Sequence, residues 1–307
     1  MKVVAIGDTH DAPDVDKQRF RWFGKYIKKV KPDVVVQIGD FITLDSCKHY
    51  IPDDTYSARI EKPTFIKEMD SFDDACYEFN YGLGNYQVKK YITLGNHERR
   101  LWRYEDKNPS FYNMGQREYF GICKKYEWNV IPWGKYLMLG GVGFIHAPIN
   151  PMGKEYGGET SEKNVANKSK IDIVFGHSHR AQDVRIPKIS NIKNDFTRIL
   201  NLGCALPHNH IEKYARHSLT GWTYQICEID IWDYHIQEVK NISMESLENE
   251  FATSKKKENS VEARKTLAGK SIILTVCDEF GNQASKLLTT KSVKKLITKL
   301  KSLIKGN

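Results

Sequence analysis

Unbroken apolar runs punctuate this chain, and most of them stop at a glycine. KVVAIG (2–7) shows no alternation, which marks a strand buried on both faces. From 14 to 31 the period changes. Phe20, Phe23, Ile27 and Val30 recur at helical spacing, and Pro32 lies just past the end. DVVVQIG (33–39) is again a buried run, so the opening predicts a β-α-β unit with parallel strands. Active groups gather at the carboxyl ends of such strands. Residues 41–88 are less regular, with Pro52 and Pro63, then Phe65, Met69, Phe72, Cys76 and Phe79 at helical spacing. That is long for a plain crossover; such a segment shapes access to a site or covers a sheet edge. A strand at 88–94 and a polar helix from about Arg99 follow.

The second half predicts more strands. NVIPW and KYLML lead to a turn at Gly140-Gly141, and VGFIHA returns: two or three antiparallel strands over 128–147. Residues 153–170 are polar and Gly-rich, then helical. Strands are expected at 171–175, and at 197–202, 222–231 and 233–240 as a closing meander. Parallel and antiparallel strands together favour two packed sheets flanked by helices. Near 240 the texture changes. SMESLENEFATSKKKENSVEARK reads as a linker or exposed helix, and KSIILTVCDEFGN as one strand and a turn. Residues 292–305 read as an amphipathic helix, with Val293, Leu296, Ile297, Leu300, Leu303 and Ile304 on one face. The expected division is a domain over 1–240 and a basic extension over 241–307. Docking of that helix on the body or on a second copy is expected, the latter giving a homodimer.

Composition narrows the picture. A chain of 307 residues, 40% hydrophobic and 11% aromatic, can bury a full α/β core and is not a disordered segment. Six scattered cysteines without C-x-x-C point to free thiols in a reducing compartment. No apolar run approaches the roughly 20 residues of a membrane span. The first strand reaches Asp8 with no room for a signal-peptide core, so the expected location is cytoplasmic. The net charge is +9, and residues 241–307 hold 13 Lys+Arg against 7 Asp+Glu. That excess favours a polyanion such as nucleic acid, with plain solubility as the competing reading.

The chemistry lies where the runs stop. Five of them deliver metal-binding residues: Asp8 and His10 as D-x-H, Asp40 as G-D, Asn96 followed by His97 as G-N-H-E, His146, and His177 with His179 as G-H-x-H. In D-x-H and H-x-H both side chains point one way if the backbone is extended. A glycine before Asp8, Asp40, Asn96 and His177 lets the chain turn and approach an ion. Each fragment alone is common in turns; the ordered set of five is not. Seven ligands suit two ions that share Asp40. Imidazole mixed with carboxylate and amide oxygen suits manganese first, with iron, zinc or nickel as alternatives, over an all-oxygen calcium or magnesium cage.

This ordered set resembles the calcineurin-like metallophosphoesterase superfamily over roughly residues 1–240. The resemblance implies a four-layer α/β/β/α sandwich of two mixed β-sheets with a two-metal site at the strand ends. It implies Asp8, His10, Asp40 and His179 on the first divalent metal, and Asp40, Asn96, His146 and His177 on the second. His97 would stand beside the substrate and protonate the leaving group. Two such ions clamp phosphate oxygens and activate water. The family's protein Ser/Thr phosphatases carry G-D-x-x-D-R-G; residues 39–45 read GDFITLD, without that second Asp or the Arg. Thr43 stands where the purple acid phosphatases have a tyrosine ligand. NHERRLWRY looks like phage-encoded members, and the DNA-repair nucleases remain as relatives.

Arg99, Arg100 and Arg103, with Trp102 and Tyr104, are the candidate substrate-binding cluster. Basic groups track phosphates and aromatics stack bases. The expectation is a two-metal phosphodiesterase or nuclease acting on nucleic acid. The alternatives are a phosphodiesterase or phosphatase for small nucleotides, with 41–88 as a lid, and a catalytically dead nucleic-acid-binding scaffold. Glu98 either orients His97 or starts the next helix. His208, His210 and His217 are expected at the surface or behind the ligands, and His49 and His235 show no partner pattern.

Overall fold

The computed structural model describes residues 1–48, 63–158, 160–191, 195–208, 210 and 221–252, and the backbone of three strands between 260 and 289. It divides into two compact units, Met1–Phe251 and Ala252–Asn307.

The first unit holds two mixed sheets. One is six-stranded, in the order β11-β10-β1-β2-β3-β4. Its strands are β1 (Lys2–Ile6), β2 (Val34–Gln37), β3 (Lys89–Thr93), β4 (Trp128–Ile131), β10 (Gln225–Trp232) and β11 (His235–Ser243). β1 to β4 run parallel, and β10 and β11 antiparallel. The other is five-stranded, in the order β5-β6-β7-β9-β8. It comprises β5 (Leu137–Leu139), β6 (Val142–Phe144), β7 (Ile173–Phe175), β8 (Ala181–Pro187) and β9 (Phe196–Leu202).

Alternation within the apolar runs decides the layers. Val3, Ala5, Val34, Val36, Ile229 and Ile231 share one core with Val142, Phe144, Val174, Leu200 and Leu202 of the second sheet. Each of these buried side chains larger than alanine contributes about 1.5–3 kcal/mol. The intervening Val4, Val35 and Ile92 are equally buried, under helices α1 (Gln18–Val30) and α2 (Phe65–Leu83). The Tyr26 hydroxyl of α1 donates to Glu228 of β10, and Phe79 of α2 packs on Trp128 of β4. Behind the second sheet, Ile145, Ile173, Phe175 and Ile199 meet Val165 and Ala166 of a helix over Ser161–Lys168. The result is an α/β/β/α sandwich.

Several elements depart from the sequence reading. β4 does not continue into a hairpin; it pairs parallel with β3. Two helices, α3 (Glu98–Lys107) and α4 (Met114–Lys125), form the crossover that brings it there. α4 buries only Gly115, Tyr119, Ile122 and Cys123, too few to announce its period. The closing meander is split, since β9 belongs to the second sheet and β10 and β11 to the first. β8 escapes the apolar-run criterion because it is a half-exposed edge strand carrying Asp183 and Arg185. The helix over 161–168 is α5, and the next is α6 (Met244–Phe251). α6 is neither linker nor fully exposed: Met244 and Leu247 are buried, and Phe251 lies edge-on to Tyr26 of α1.

The second unit is a three-stranded antiparallel sheet of β12 (Ser260–Lys265), β13 (Ser271–Cys277) and β14 (Gln283–Thr289), so the single expected strand is the centre of three. The expected helix at 292–305 lies outside the described residues. Among the described residues no helix is long and apolar enough to cross a membrane, and Cys47, Cys76, Cys123, Cys204 and Cys227 are free and buried.

Candidate metal centre

Parallel strands end on one side, so β1, β2, β3, β6 and β7 deliver their terminal residues together. Ligand atoms converge in three overlapping groups: Asp8, His10 and His179; His10, Asp40 and His97; Asp40, His146 and His177. His10 Nε2 and His179 Nε2 lie 2.9 Å apart, and Asp8 Oδ2 is 3.1 Å from the latter. Asn96 Oδ1 is 2.9 Å from both His146 Nε2 and His177 Nδ1. Asp40 Oδ2 stands between the halves, 3.4 Å from His146 Nε2 and 3.8 Å from His10 Nε2.

The donor set fits cations. His146 Nδ1 faces the Ile38 carbonyl at 3.1 Å. With its proton there, Nε2 turns a lone pair toward the Asn96 and Asp40 oxygens. His10 Nε2 and His179 Nε2 likewise face each other with one proton between them at most, and His10 Nδ1 is buried with no partner among the described residues. A cation in each half resolves both conflicts; at His146 a second proton, which the Asp40 and Asp8 carboxylates favour, does the same. Burial, then His97 and His179, hold the His10 imidazole well below its ordinary range. Burial and His146 lower His177. Burial also works to lower His146, but the Asp40 and Asp8 carboxylates outweigh it and raise the group to about 9. Two carboxylates in a buried site thus demand positive charge.

The turns are strained and held. His10, Asp40, His177 and His179 have φ of 40°, 48°, 72° and 59°, in the left-handed region. Such residues cost about 1–3 kcal/mol each and persist only where their surroundings over-determine them. Three holds are visible. The carboxylate of Glu98 accepts from Gly95 N (2.8 Å), Asp40 N (3.0 Å), Phe41 N (2.8 Å) and Ile42 N (3.3 Å). His177 N donates to Asp8 Oδ2 at 3.0 Å and His97 N to Asp40 Oδ1 at 2.8 Å. Behind G-H-S-H, Asn201 Nδ2 of β9 donates to Ser178 Oγ and to Glu162 Oε1 of α5, each at 2.7 Å.

Glu98 therefore starts α3 and also clamps the Asp40 turn, a role that its neighbours in sequence do not reveal. Burial and Asp40 push it up to about 7 against the pull of the N–H groups. The glycines act mainly through close approach. A Cβ at Gly95 would collide with Asp40 Oδ1, and one at Gly176 with Asp8 Oδ1. Only Gly39 of the four has a φ, +101°, that side chains rarely adopt.

A pocket of about 280 Å³ opens at the centre, lined by His10, Asp40, Lys48, Asn96, His97, Arg100, His177 and His179. His97 Nδ1 faces the Thr43 carbonyl at 2.9 Å, and Arg100 Nη2 donates to His97 Nε2 at 2.9 Å. Burial, with Arg100 beside it, lowers His97 to about 4 although Asp40 opposes this. Arg100 Nη1 is anchored on the Thr43 carbonyl (2.8 Å) and Asp45 Oδ1 (3.1 Å).

The other two candidate arginines do not line this pocket. Arg99 lies over the Trp133 ring at 5.4 Å, and Arg103 is exposed on α3. Trp102 packs on Phe120 and Tyr104 on Phe111. Sequence reasoning missed Lys48 and two aromatic walls. Trp222 meets the His179 ring edge-on at 4.5 Å, and Trp133 stands 6.0 Å from His146. A lone tryptophan after a glycine is no signal until the fold places it. His208 lies near Tyr224, the His210 carbonyl accepts from Tyr224, and His235 pairs with Asp172. Among the described residues none of the three joins a ligand group. His49 and His217 lie outside the described residues.

A family model described as calcineurin-like phosphoesterase matches residues 1–181. Comparison with curated proteins finds no match. Among solved structures, wild-type Vps29 complexed with zinc from Entamoeba histolytica is 11% identical, with 94% of this chain and 99% of that chain covered at a TM-score of 0.35. A dimetal phosphatase from Danio rerio is 9% identical, with 94% and 98% covered at a TM-score of 0.36. Likeness at that level carries no inference about fold or activity. The family match is different in kind: it covers more than half of the chain, from the D-x-H motif to just past G-H-x-H. The chain belongs to the calcineurin-like phosphoesterase family, and its buried ligand clusters suit that family's metal-dependent hydrolysis of phosphoesters.

Proposed function

We propose that this protein is a two-metal phosphodiesterase that cleaves nucleic acid. One observation carries the reading: the ligand groups joined through Asp40 open onto the same pocket that Arg100 and Lys48 line. Asp8, His10, Asp40 and His179 hold one ion, and Asp40, Asn96, His146 and His177 the other, with manganese the metal of choice. When bound, the ions supply Lewis-acid polarisation of the phosphoryl oxygens and activation of water.

The chain's own residues do the rest. Arg100, clamped by Thr43 and Asp45, presents a fixed positive charge to the phosphoryl group. A preorganised charge in a site shielded from water stabilises the transition state without reorganising. His97 is oriented by the Thr43 carbonyl at Nδ1; Nε2 accepts from Arg100, so to protonate the leaving oxygen, the role assigned to it, Nε2 must exchange that bond for a proton when the phosphoester enters. Lys48 adds a second cation at the mouth. Arg99, Arg103 and the +9 net charge favour a polyanionic substrate.

The test is turnover with Mn²⁺ on single- and double-stranded DNA, RNA and cyclic nucleotides. Oligonucleotide cleavage is expected, and His97→Ala should lower kcat about 10²–10⁴-fold. A second reading, a phosphodiesterase or phosphatase for small nucleotides, draws on the pocket volume. About 280 Å³ is close to the lower end of the usual small-ligand range of ~300–1,000 Å³. Hydrolysis of small nucleotides without any cleavage of DNA or RNA would replace the first reading with the second.

A further inference from the structure

The outer side of α3 carries, beyond Arg100, groups that the pocket does not use. Arg100, Arg103, Tyr104 and Lys107 fall at i, i+3, i+4 and i+7, a single stripe along the helix. The opposite stripe, Glu98, Leu101 and Glu105, is buried. Both buried glutamates are occupied by backbone N–H groups, Glu98 as described and Glu105 by those of Asn113, Gly115 and Gln116. Two acids of the helix therefore turn inward and its cations outward; Asp106 stands to one side of the stripe.

The stripe starts at the pocket, which Arg100 lines. At Lys107, seven residues on along the helix, it has run about 10 Å from there. Toward the far end the Tyr104 ring, 38% exposed, sits 6.3 Å from the Phe111 ring, 50% exposed. Exposed rings side by side among cations are not what a solvated face requires, since one that only keeps a protein soluble needs charge without aromatic surface.

We propose that this stripe is a track for single-stranded nucleic acid leading into the pocket, with Arg103 and Lys107 on successive phosphates and Tyr104 and Phe111 stacking bases. The inference rests on the phosphodiesterase reading of the pocket. Charge complementarity selects the occupant: cations one helical turn apart match a polyanion. The exposed rings then select the single strand, because a duplex keeps its base faces stacked inside.

The test uses the full chain loaded with Mn²⁺ and a labelled phosphorothioate oligonucleotide of about ten nucleotides, a span typical of single-strand sites. Its backbone resists cleavage, so fluorescence anisotropy reads binding apart from turnover. In the variant Arg103→Ala/Tyr104→Ala/Lys107→Ala, affinity is expected to fall at least about tenfold. The slope of log K against log salt should become shallower by about 1.4, roughly 0.7 for each lost phosphate contact. Tyr104→Phe should keep the affinity that Tyr104→Ala loses by about tenfold. An unchanged affinity and slope in the triple variant overturns the track, as does equal or tighter binding of duplex. The two readings separate cleanly. A wild-type protein that binds the single strand with this dependence but hydrolyses no phosphodiester oligonucleotide keeps the track and loses the nuclease. One that cleaves DNA while the triple variant binds normally keeps the nuclease and loses the track.

Discussion

Glu98 joins two turns that lie far apart in sequence, accepting from Gly95 three residues before it and from Asp40 58 residues away. Glu98→Gln keeps the volume but has one acceptor oxygen where there were two. The expected product is folded, with Mn²⁺ affinity at the Asn96 half lowered about 10–100-fold, as for other groups that orient ligands. Titration calorimetry checks this, and wild-type affinity would remove the role. Asn96 and His97 separate binding from chemistry. Asn96→Ala should retain one tightly held ion, while His97→Ala should retain two and lose turnover; elemental analysis beside kinetics reads both. Gly95→Ala drives a methyl group into Asp40 Oδ1. Because Asp40 faces both halves, that variant should bind both ions more weakly. At this scale the seven ligand candidates were legible because each ends an apolar run. Glu98, Lys48, Asn201 and Trp222 were not, because what they touch comes from other elements.

Among the elements, α2 shows how a helix supports the loop beside a site. Glu68 of α2 accepts from Asp45 N (2.6 Å) and Ser46 N (3.1 Å), and Asp45 in turn anchors Arg100. Burial pushes Glu68 up to about 7 from its ordinary 4.5. Below both values the folded and unfolded chains each carry the proton. Between them the unfolded chain releases a proton that the folded chain keeps, so stability falls as pH rises through this window. The loss from Glu68 is at most about 3 kcal/mol. Glu68→Gln cannot titrate, so urea unfolding at pH 5 and at pH 7.5 should show a smaller decline than in the wild type. Parallel declines in the two proteins would show that Glu68 titrates normally. Strand and helix positions in the first half followed from periodicity. β8 and α4 did not, because a half-exposed edge strand and a helix with few buried residues carry almost no periodic signal.

At the scale of the molecule, the first unit concentrates cost at one end of its sheets. Four residues there are left-handed, and Asp8 and Asp40 are both buried against His146. Bound metal offsets that cost by mass action, about 2.7 kcal/mol at a hundredfold excess over Kd. Chelation should therefore lower the melting temperature as well as abolish turnover, and Mn²⁺ should restore both. A melting temperature indifferent to chelator and Mn²⁺ would mean that the ions are not held by these buried groups.

The sequence by itself determined the candidate ligand types, their order and the side of the sheets on which they appear. Those follow from local facts: an unalternating apolar run is a buried strand, parallel strands end together, and the residues after them share a cleft. Only the tertiary structure decided which sheet β4, β9 and β10 join, and which backbone groups Glu98 and Asn201 hold. It alone placed Arg100, and neither Arg99 nor Arg103, in the pocket against His97. Such choices depend on contacts between residues tens of positions apart, and on the few kcal/mol by which one strand pairing or buried hydrogen bond exceeds its competitors. Periodicity along a single chain does not contain that information.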